Sequence, residues 1–240
     1  MRFSPSIKLT VLLLALTLVF ARLGYWQVQR KAEKTELFRR FEQAPALDVE
    51  TAIDRQERFA RVEARGHYDS RRHVLVDNRI FEGRAGVHVL TPFVLDDGSL
   101  VMVNRGWLPL PPDRRKLPDI PTDPNARLVK GRLERLTPSG PRLGGPDVLE
   151  TNEWPQLVTY PDPDLLSATL GQRVPDWLVE LDAEDPSGFQ DRDWKPAVMA
   201  PAVHGAYAVQ WFGLSAAAVV IWIVLGLRAA QPGPPARQKD

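Results

Sequence analysis

Apolar positions fall into three regimes along the chain. A nearly unbroken run from Leu9 to Phe20 is extended by Ala21, Leu23, Gly24, Tyr25 and Trp26. A second run, Ala206 to Leu227, carries no charge and is closed by Arg228. At a rise of about 1.5 Å per residue it reaches roughly 33 Å, enough for the hydrocarbon core of a bilayer. The first run follows Arg2 and Lys8, as in a cleaved signal peptide. However, Ala21-Arg22-Leu23 is not a small-x-small cleavage pattern, and Tyr25 and Trp26 suit an interfacial aromatic belt. We therefore read an uncleaved anchor, with the long stem of Arg22 snorkelling to the surface. Gly213 and Ala217 are spaced as small-x-x-x-small and predict close approach of another helix, the first anchor being nearest. Beyond Trp26 the pattern stays helical to about Phe41, with Leu23, Gln27, Arg30 and Lys34 on one face, and Pro45 ends it.

Between the runs, alternation replaces helical spacing. Arg61 to Arg65 alternates up to Gly66, His73 to Asn78 is β-branched and apolar, and Asp77-Asn78-Arg79 follows that strand. Val87 to Leu95 and Leu100 to Asn104 form a hairpin around Asp96-Asp97-Gly98-Ser99, where Gly98 supplies the positive φ that the turn needs. Asn104-Arg105-Gly106-Trp107 ends that hairpin. Arg127 to Leu136 is a strand broken at Gly131, Pro138 to Pro146 a loop, and Trp177 to Leu181 a last strand. Pro163 to Leu170 predicts a short helix capped by Asp162 and stopped by Gly171. The fold class is α+β: two transmembrane helices, N- and C-terminal, flank a mostly β domain, a small barrel-like or curved sheet with a minor helix.

Charge sets the orientation. Arg2 and Lys8 at the start, and Arg228, Arg237 and Lys239 at the end, place both termini in the cytoplasm, because a long intervening loop crosses largely regardless of its charge. The expected order is a cytoplasmic N-terminus (1–8), a transmembrane helix (9–26), a periplasmic β-rich domain opening on a helical extension (27–203), a second transmembrane helix (206–227) and a cytoplasmic tail (228–240) of a bacterial inner-membrane protein. A net charge of +1 gives no polyanion signature, so nucleic acid is not an expected partner. There is no cysteine, which removes disulfides, thiolate metal sites and thiol nucleophiles, and three methionines support no thioether copper site.

Catalytic signatures are missing: no phosphate-binding Gly-x-x-x-x-Gly-Lys, no His-Glu-x-x-His, no Gly-x-Ser-x-Gly and no Gly-x-Gly-x-x-Gly. The chain is not expected to be an enzyme. His67, His73 and His88 lie in or beside strands and read as structural histidines. Arg79 and Arg105 suit carboxylate recognition, a porphyrin propionate included, but read better as structural arginines bonded to carbonyls or to an acid such as Asp77. Trp107 reads as a core or rim residue. His204 stands just before the second span, with Tyr207 and Trp211 on the same helical face. From spacing alone it is either an interfacial histidine in a polar-aromatic belt, which the spacing favours, or an axial ligand to haem iron.

Taken together, these segments resemble the Surfeit locus protein 1 family, the cytochrome oxidase biogenesis factors. The motifs are Gly24-Tyr25-Trp26-Gln27-Val28-Gln29-Arg30 with Lys34 following, Gly86-Val87-His88-Val89-Leu90-Thr91-Pro92, Val103-Asn104-Arg105-Gly106-Trp107-Leu108-Pro109, and His204-Gly205-Ala206-Tyr207-Ala208-Val209-Gln210-Trp211-Phe212. No pattern aligns from Pro138 to Gln156. The resemblance implies an assembly factor for haem–copper cytochrome c oxidase that binds haem a transiently and aids its insertion into the catalytic subunit. The haem a synthesis machinery is a second candidate partner. It implies His204 as the haem-iron ligand; from their own placement, Tyr207 and Trp211 on the same face are expected to pack on the porphyrin, and Gln27 or Arg30 on the first helix to meet a polar edge or propionate. The competing readings are a cofactor-free membrane scaffold for an oxidase intermediate and, least supported, a periplasmic hydrolase.

Overall fold

The computed structural model describes residues 3, 5–111, 113, 116–137, 147, 149 and 153–229. The loop expected over Pro138 to Pro146 and the tail cations Arg237 and Lys239 lie outside the described residues, as does Arg2. The chain divides into two units, one formed by residues 1–39 and 196–240, the other by residues 40–195.

The central unit is a β barrel. Its elements are β1 (Ala46–Asp48), α2 (Val49–Asp54), β2 (Arg61–Tyr68), β3 (Val74–Phe81), β4 (Arg84–Leu95), β5 (Leu100–Pro109), β6 (Arg127–Arg135), β7 (Gln156–Val158), α3 (Pro163–Leu170) and β8 (Trp177–Leu181), preceded in the chain by α1 (Ile7–Glu42) and followed by α4 (Pro201–Arg228). Five strands close on themselves in the order β2-β6-β8-β5-β4, because the end of β4 returns to the end of β2, Leu95 facing Gly66 and Phe93 facing Tyr68. All the pairings in this ring are antiparallel except β5 with β8. Beside it, β3 and β7 extend the sheet from β4, and β1 lies parallel on β2.

Alternation fills the interior. On β2, Val62, Ala64 and Tyr68 point inward, and Phe93, Val101, Val103, Val129, Leu133, Trp177, Val179 and Leu181 complete a core sealed by Val49 and Ala52 of α2. A second apolar cluster lies on the outer face, where Leu166 and Leu170 of α3 cover Val74, Leu90, Met102 and Leu178. With eight residues, α3 is too short to hold itself in water. Burial of its two leucines, at about 2 kcal/mol each, fixes it. The Asp162 side chain accepts from the amides of Asp164 and Leu165, and Gly171 ends the helix at φ 71°.

Several strand boundaries differ from those expected. Asp77-Asn78-Arg79 does not follow β3 but lies within it, at a register shift where Asn78 takes φ 59°. The strand then runs to Phe81 and turns through Glu82 and Gly83, both at positive φ, into β4. Asn104-Arg105-Gly106-Trp107 does not end the hairpin either, since β5 continues to Pro109 against β4, while β8 pairs with it at Met102 to Asn104. Gly131 does not break β6. The strand passes straight through it, and a Cβ there would lie 2.2 Å from the Glu180 carbonyl oxygen, so the glycine admits β8 at barrel distance. β1, α2 and β7 were not foreseen; β1 and β7 have three residues each, too few for a readable period.

In the terminal unit, α1 and α4 each contain a stretch long and apolar enough to cross a membrane. At 36 and 28 residues they measure about 54 and 42 Å. Their apolar side chains mostly face outward, Val11, Leu14, Leu18, Val209 and Val220 among them. That exposure is unfavourable in water and neutral in lipid. The helices run antiparallel, as successive contacts show: Trp222 Nε1 donates to Thr10 Oγ1 (3.0 Å), Ser215 Oγ to the Thr17 carbonyl (3.1 Å), Trp211 stacks on Phe20 (5.8 Å), and His204 meets Gln27. Thr10, Leu13, Thr17, Phe20, Gly24 and Gln27 thus form a seam at alternating three- and four-residue steps, matched by His204, Ala208, Trp211, Ser215, Ala218 and Trp222. The expected role of Gly213 and Ala217 is therefore corrected. Both face outward, and nothing lies within 4 Å of a Cβ placed on Gly213. Close approach occurs at Gly24 instead, where a Cβ would lie 2.9 Å from the Phe212 ring.

Candidate functional site

The histidines separate by what their ring nitrogens meet. His67 is exposed on β2. His73 is buried and fully engaged: Nε2 lies 3.2 Å from the Ser70 carbonyl and Nδ1 3.0 Å from Thr91 Oγ1. The carbonyl only accepts, so Nε2 carries the proton and Nδ1 accepts from the hydroxyl. His88 Nδ1 lies 3.3 Å from the Asn104 side-chain amide nitrogen, while Nε2 is 3.9 Å from Asp191. Burial, and secondarily the charge of Arg79, lower the His88 pKa to about 4.

His204 is different. It occupies the first turn of α4, positioned because Pro201 stands at the start of the helix and the seam turns the ring toward α1. Nδ1 lies 2.8 Å from Gln27 Oε1. A carboxamide oxygen can only accept, so Nδ1 carries the proton and donates, and the lone pair of the neutral ring sits on Nε2. That nitrogen is buried and makes no hydrogen bond. Gln27 is itself buried, at 8% exposure, a polar residue within an otherwise largely apolar seam. Leaving a buried lone pair without a donor costs about 1–3 kcal/mol, so the arrangement calls for a partner.

The remaining expected residues distribute around this pair. Trp211 lies on the seam against Phe20, whereas Tyr207 is 44% exposed and flanks it. Arg30 is not directed at His204. Its guanidinium pairs with Glu33 at 2.7 Å and lies over the Trp26 ring, exposed on the outer face of α1. Gln27 was expected at a polar edge or propionate, but its oxygen is on the imidazole. The signal was available: a polar side chain at a seam position of a helix pair needs a polar partner. An apolar cavity of about 330 Å³ between the helices is lined by Thr10, Leu13, Leu14, Thr17, Val219 and Trp222, toward the opposite end of the pair from His204.

The central motif residues are engaged within the barrel. The Arg105 guanidinium donates to the carbonyls of Ser187 (2.8 Å) and Pro121 (3.0 Å) and to Thr122 Oγ1 (2.6 Å), between the rings of Tyr68 and Phe189. Burial lowers its pKa to about 10. Trp107 is fully buried, with Nε1 donating to the Arg79 carbonyl (3.0 Å), and its ring covers Gly86, where any Cβ would collide with it. Gly106 adopts φ 101° with the Gln190 carbonyl close against its Cα. Among the described residues no group of three or more acidic, histidine or cysteine side chains is placed to hold a metal ion.

A pair of long apolar helices, joined by a buried Gln27 and a half-buried His204 and separated in the sequence by a closed β barrel, defines a membrane protein. The family model for the SURF1 family matches residues 14–216, so the chain belongs to that family. Relatives include a SURF1-like protein of Monosiga brevicollis, 28% identical over 94% of this chain and 92% of its own length, and a SURF1-like protein of Rickettsia bellii, 26% identical over 90% and 88%. Surfeit locus protein 1 of Mus musculus is 27% identical over 83% of this chain and 70% of its own.

Proposed function

We propose that the protein is an assembly factor for haem–copper cytochrome c oxidase that holds haem a at the α1–α4 pair and delivers it to the catalytic subunit. Membership of the SURF1 family supports the assembly role. One observation carries the haem reading: a buried imidazole nitrogen with no partner, on a ring whose other nitrogen is held by Gln27. A neutral imidazole with its second nitrogen anchored is the usual donor to haem iron, so the residues present fit the group. His204 Nε2 would bind the iron, and the exposed ring of Tyr207 would pack on the porphyrin. Haem a supplies no chemistry to this chain; it is the cargo, and one protein ligand permits release. In this reading both termini are cytoplasmic, the 27–203 region is periplasmic, and the protein has no catalytic activity of its own.

A visible spectrum of protein purified from cells making haem a tests this. Wild type should carry haem with a histidine-ligated spectrum, and His204→Ala should lose most of it with both helices still inserted. Full occupancy and an unchanged spectrum in His204→Ala would remove the ligand assignment. The burial of Nε2 favours a second reading, in which His204 and Gln27 only fasten the helices of a cofactor-free scaffold. Wild type devoid of haem under haem a abundance would establish that one.

A further inference from the structure

We infer that Gln27 is a positioning residue that sets the tautomer of His204 and tunes the strength of its Nε2 as a donor; the iron-directed part rests on the haem reading above. The two residues lie on different helices, and the 2.8 Å contact is the polar link at this end of a seam that closes elsewhere through Phe20, Trp211 and Gly24. Its direction is fixed by chemistry. The carboxamide oxygen cannot donate, so it selects the ring form with the proton on Nδ1 and leaves Nε2 unprotonated. Without that acceptor a free imidazole distributes its proton over both nitrogens, and part of the population presents an N–H where a ligand needs a lone pair. A second effect follows from the same bond. As the acceptor on Nδ1–H becomes stronger, the imidazole gains anionic character and donates more strongly through Nε2, which stabilises ferric over ferrous iron. Gln27 is an acceptor of intermediate strength, between a carboxylate and none. For a carrier this is the useful setting: the ring is held ready, yet the bond to the cargo is not reinforced by a full negative charge.

The burial of Gln27 and of the His204 Nε2 atom makes the geometry persistent. Gln27 is 8% exposed, so water does not compete for its oxygen as it would at the surface. Gly205, next to the histidine, faces the aliphatic stem of Lys31 one turn further along α1, so the helices stay in register on both sides of the contact.

The test uses the full chain in nanodiscs and two variants, Gln27→Leu and Gln27→Glu. In protein without haem, nitrogen NMR of His204 should show Nδ1 protonated and Nε2 unprotonated in wild type and Gln27→Glu, and a mixture in Gln27→Leu. With haem a added, Gln27→Leu should bind roughly 10–100-fold more weakly, the usual loss for a group orienting a metal ligand. Its midpoint potential should rise, and that of Gln27→Glu should fall below wild type. A purely structural role would weaken binding without ordering the potentials this way. Equal tautomer populations in wild type and Gln27→Leu would overturn the inference. So would unchanged affinity and potential in both variants while His204→Ala loses haem, a result that leaves the haem reading standing. If wild type binds no haem, the haem reading and the tuning of iron fail together, and the tautomer comparison alone decides whether Gln27 orients the ring.

Discussion

Two glycines show how the same residue is required for different reasons. Gly98 takes φ 85° in open space at the tip of the β4–β5 hairpin, where its amide donates to the Leu95 carbonyl (2.9 Å). Gly98→Val should lower stability by about 1–2 kcal/mol through backbone strain, and Gly98→Asn should recover much of it, since asparagine tolerates positive φ. Gly131 has a different problem, a backbone oxygen of β8 in the space of its missing side chain. Gly131→Ala should cost about 3 kcal/mol, because neither strand can retreat without opening the barrel. Thermal unfolding of the detergent-solubilised chain measures both. The first glycine was legible in the sequence because turn chemistry is local. The second read as a strand break, because the clash that explains it comes from a residue far away in the chain.

Two titrating groups on the barrel act in opposite senses. His88 has its pKa lowered to about 4, so the folded state binds fewer protons than the unfolded one between about pH 4 and 6.5, and stability rises with pH there. Glu180 has its pKa raised to about 8 by burial and, second, by Glu134; the folded state keeps a proton the unfolded state has lost, and stability falls from about pH 4.5 to 8. Where the windows overlap the slopes oppose, and above pH 6.5 only the fall remains. The unfolding midpoint should therefore drop between pH 6.5 and 8, and Glu180→Gln should flatten that drop. A drop of unchanged size in the variant would assign it to another group.

At the scale of elements, signals complete within a few residues were read well. α3 was placed with its cap and stop, because Asp162 and Gly171 satisfy the helix ends locally. Asp162→Ala should cost about 1 kcal/mol, read as a lower urea midpoint at unchanged slope. The helix pair was foreseen, but its contact face was not. The small-residue pair at Gly213 and Ala217 lies off the alternating three- and four-residue seam, which runs through the buried Ala208 and Ala218. Cysteines at Gly24 and Ala208 should be joined by a short bifunctional thiol reagent, while Gly213→Cys paired with the same α1 position should not react. The inverse pattern would place the seam on the outward face. Of the candidate site, His204 was legible as a polar residue at a span boundary. The hydrogen bond from His204 to Gln27 was not, since it joins positions at opposite ends of the sequence.

For the whole molecule, an antiparallel helix pair puts the start of α1 and the end of α4 at the same end of that pair. A reporter active only in the periplasm should be silent when fused after Asp240 and active when inserted between Pro138 and Pro146. The reverse result would invert the orientation we propose. That two anchors hold a β-rich insert was readable from hydropathy alone. That five strands of the insert close into a ring was not, because the closing contact of β4 with β2 and the parallel joining of β5 with β8 leave no mark on either strand's own pattern.

The parallel joint has a consequence for how the chain is made. β5 is buried along almost its full length, Leu100 to Trp107, yet the neighbour that completes it is the last strand of the barrel. At about 5–20 residues per second, several seconds separate the synthesis of the two. During that interval the nascent chain carries an apolar strand with an open edge, the kind of surface that seeks another chain. The waiting ends only when β8 arrives, and the segment 182–200 alone then precedes α4. Ring closure and the arrival of the second membrane helix are thus nearly simultaneous, on whichever side of the membrane the barrel forms. A stop codon before Trp177 would not yield a barrel lacking one strand. It would leave an unclosed sheet tethered by a single helix, with the exposed edges of β5 and β6 available to whatever meets them first.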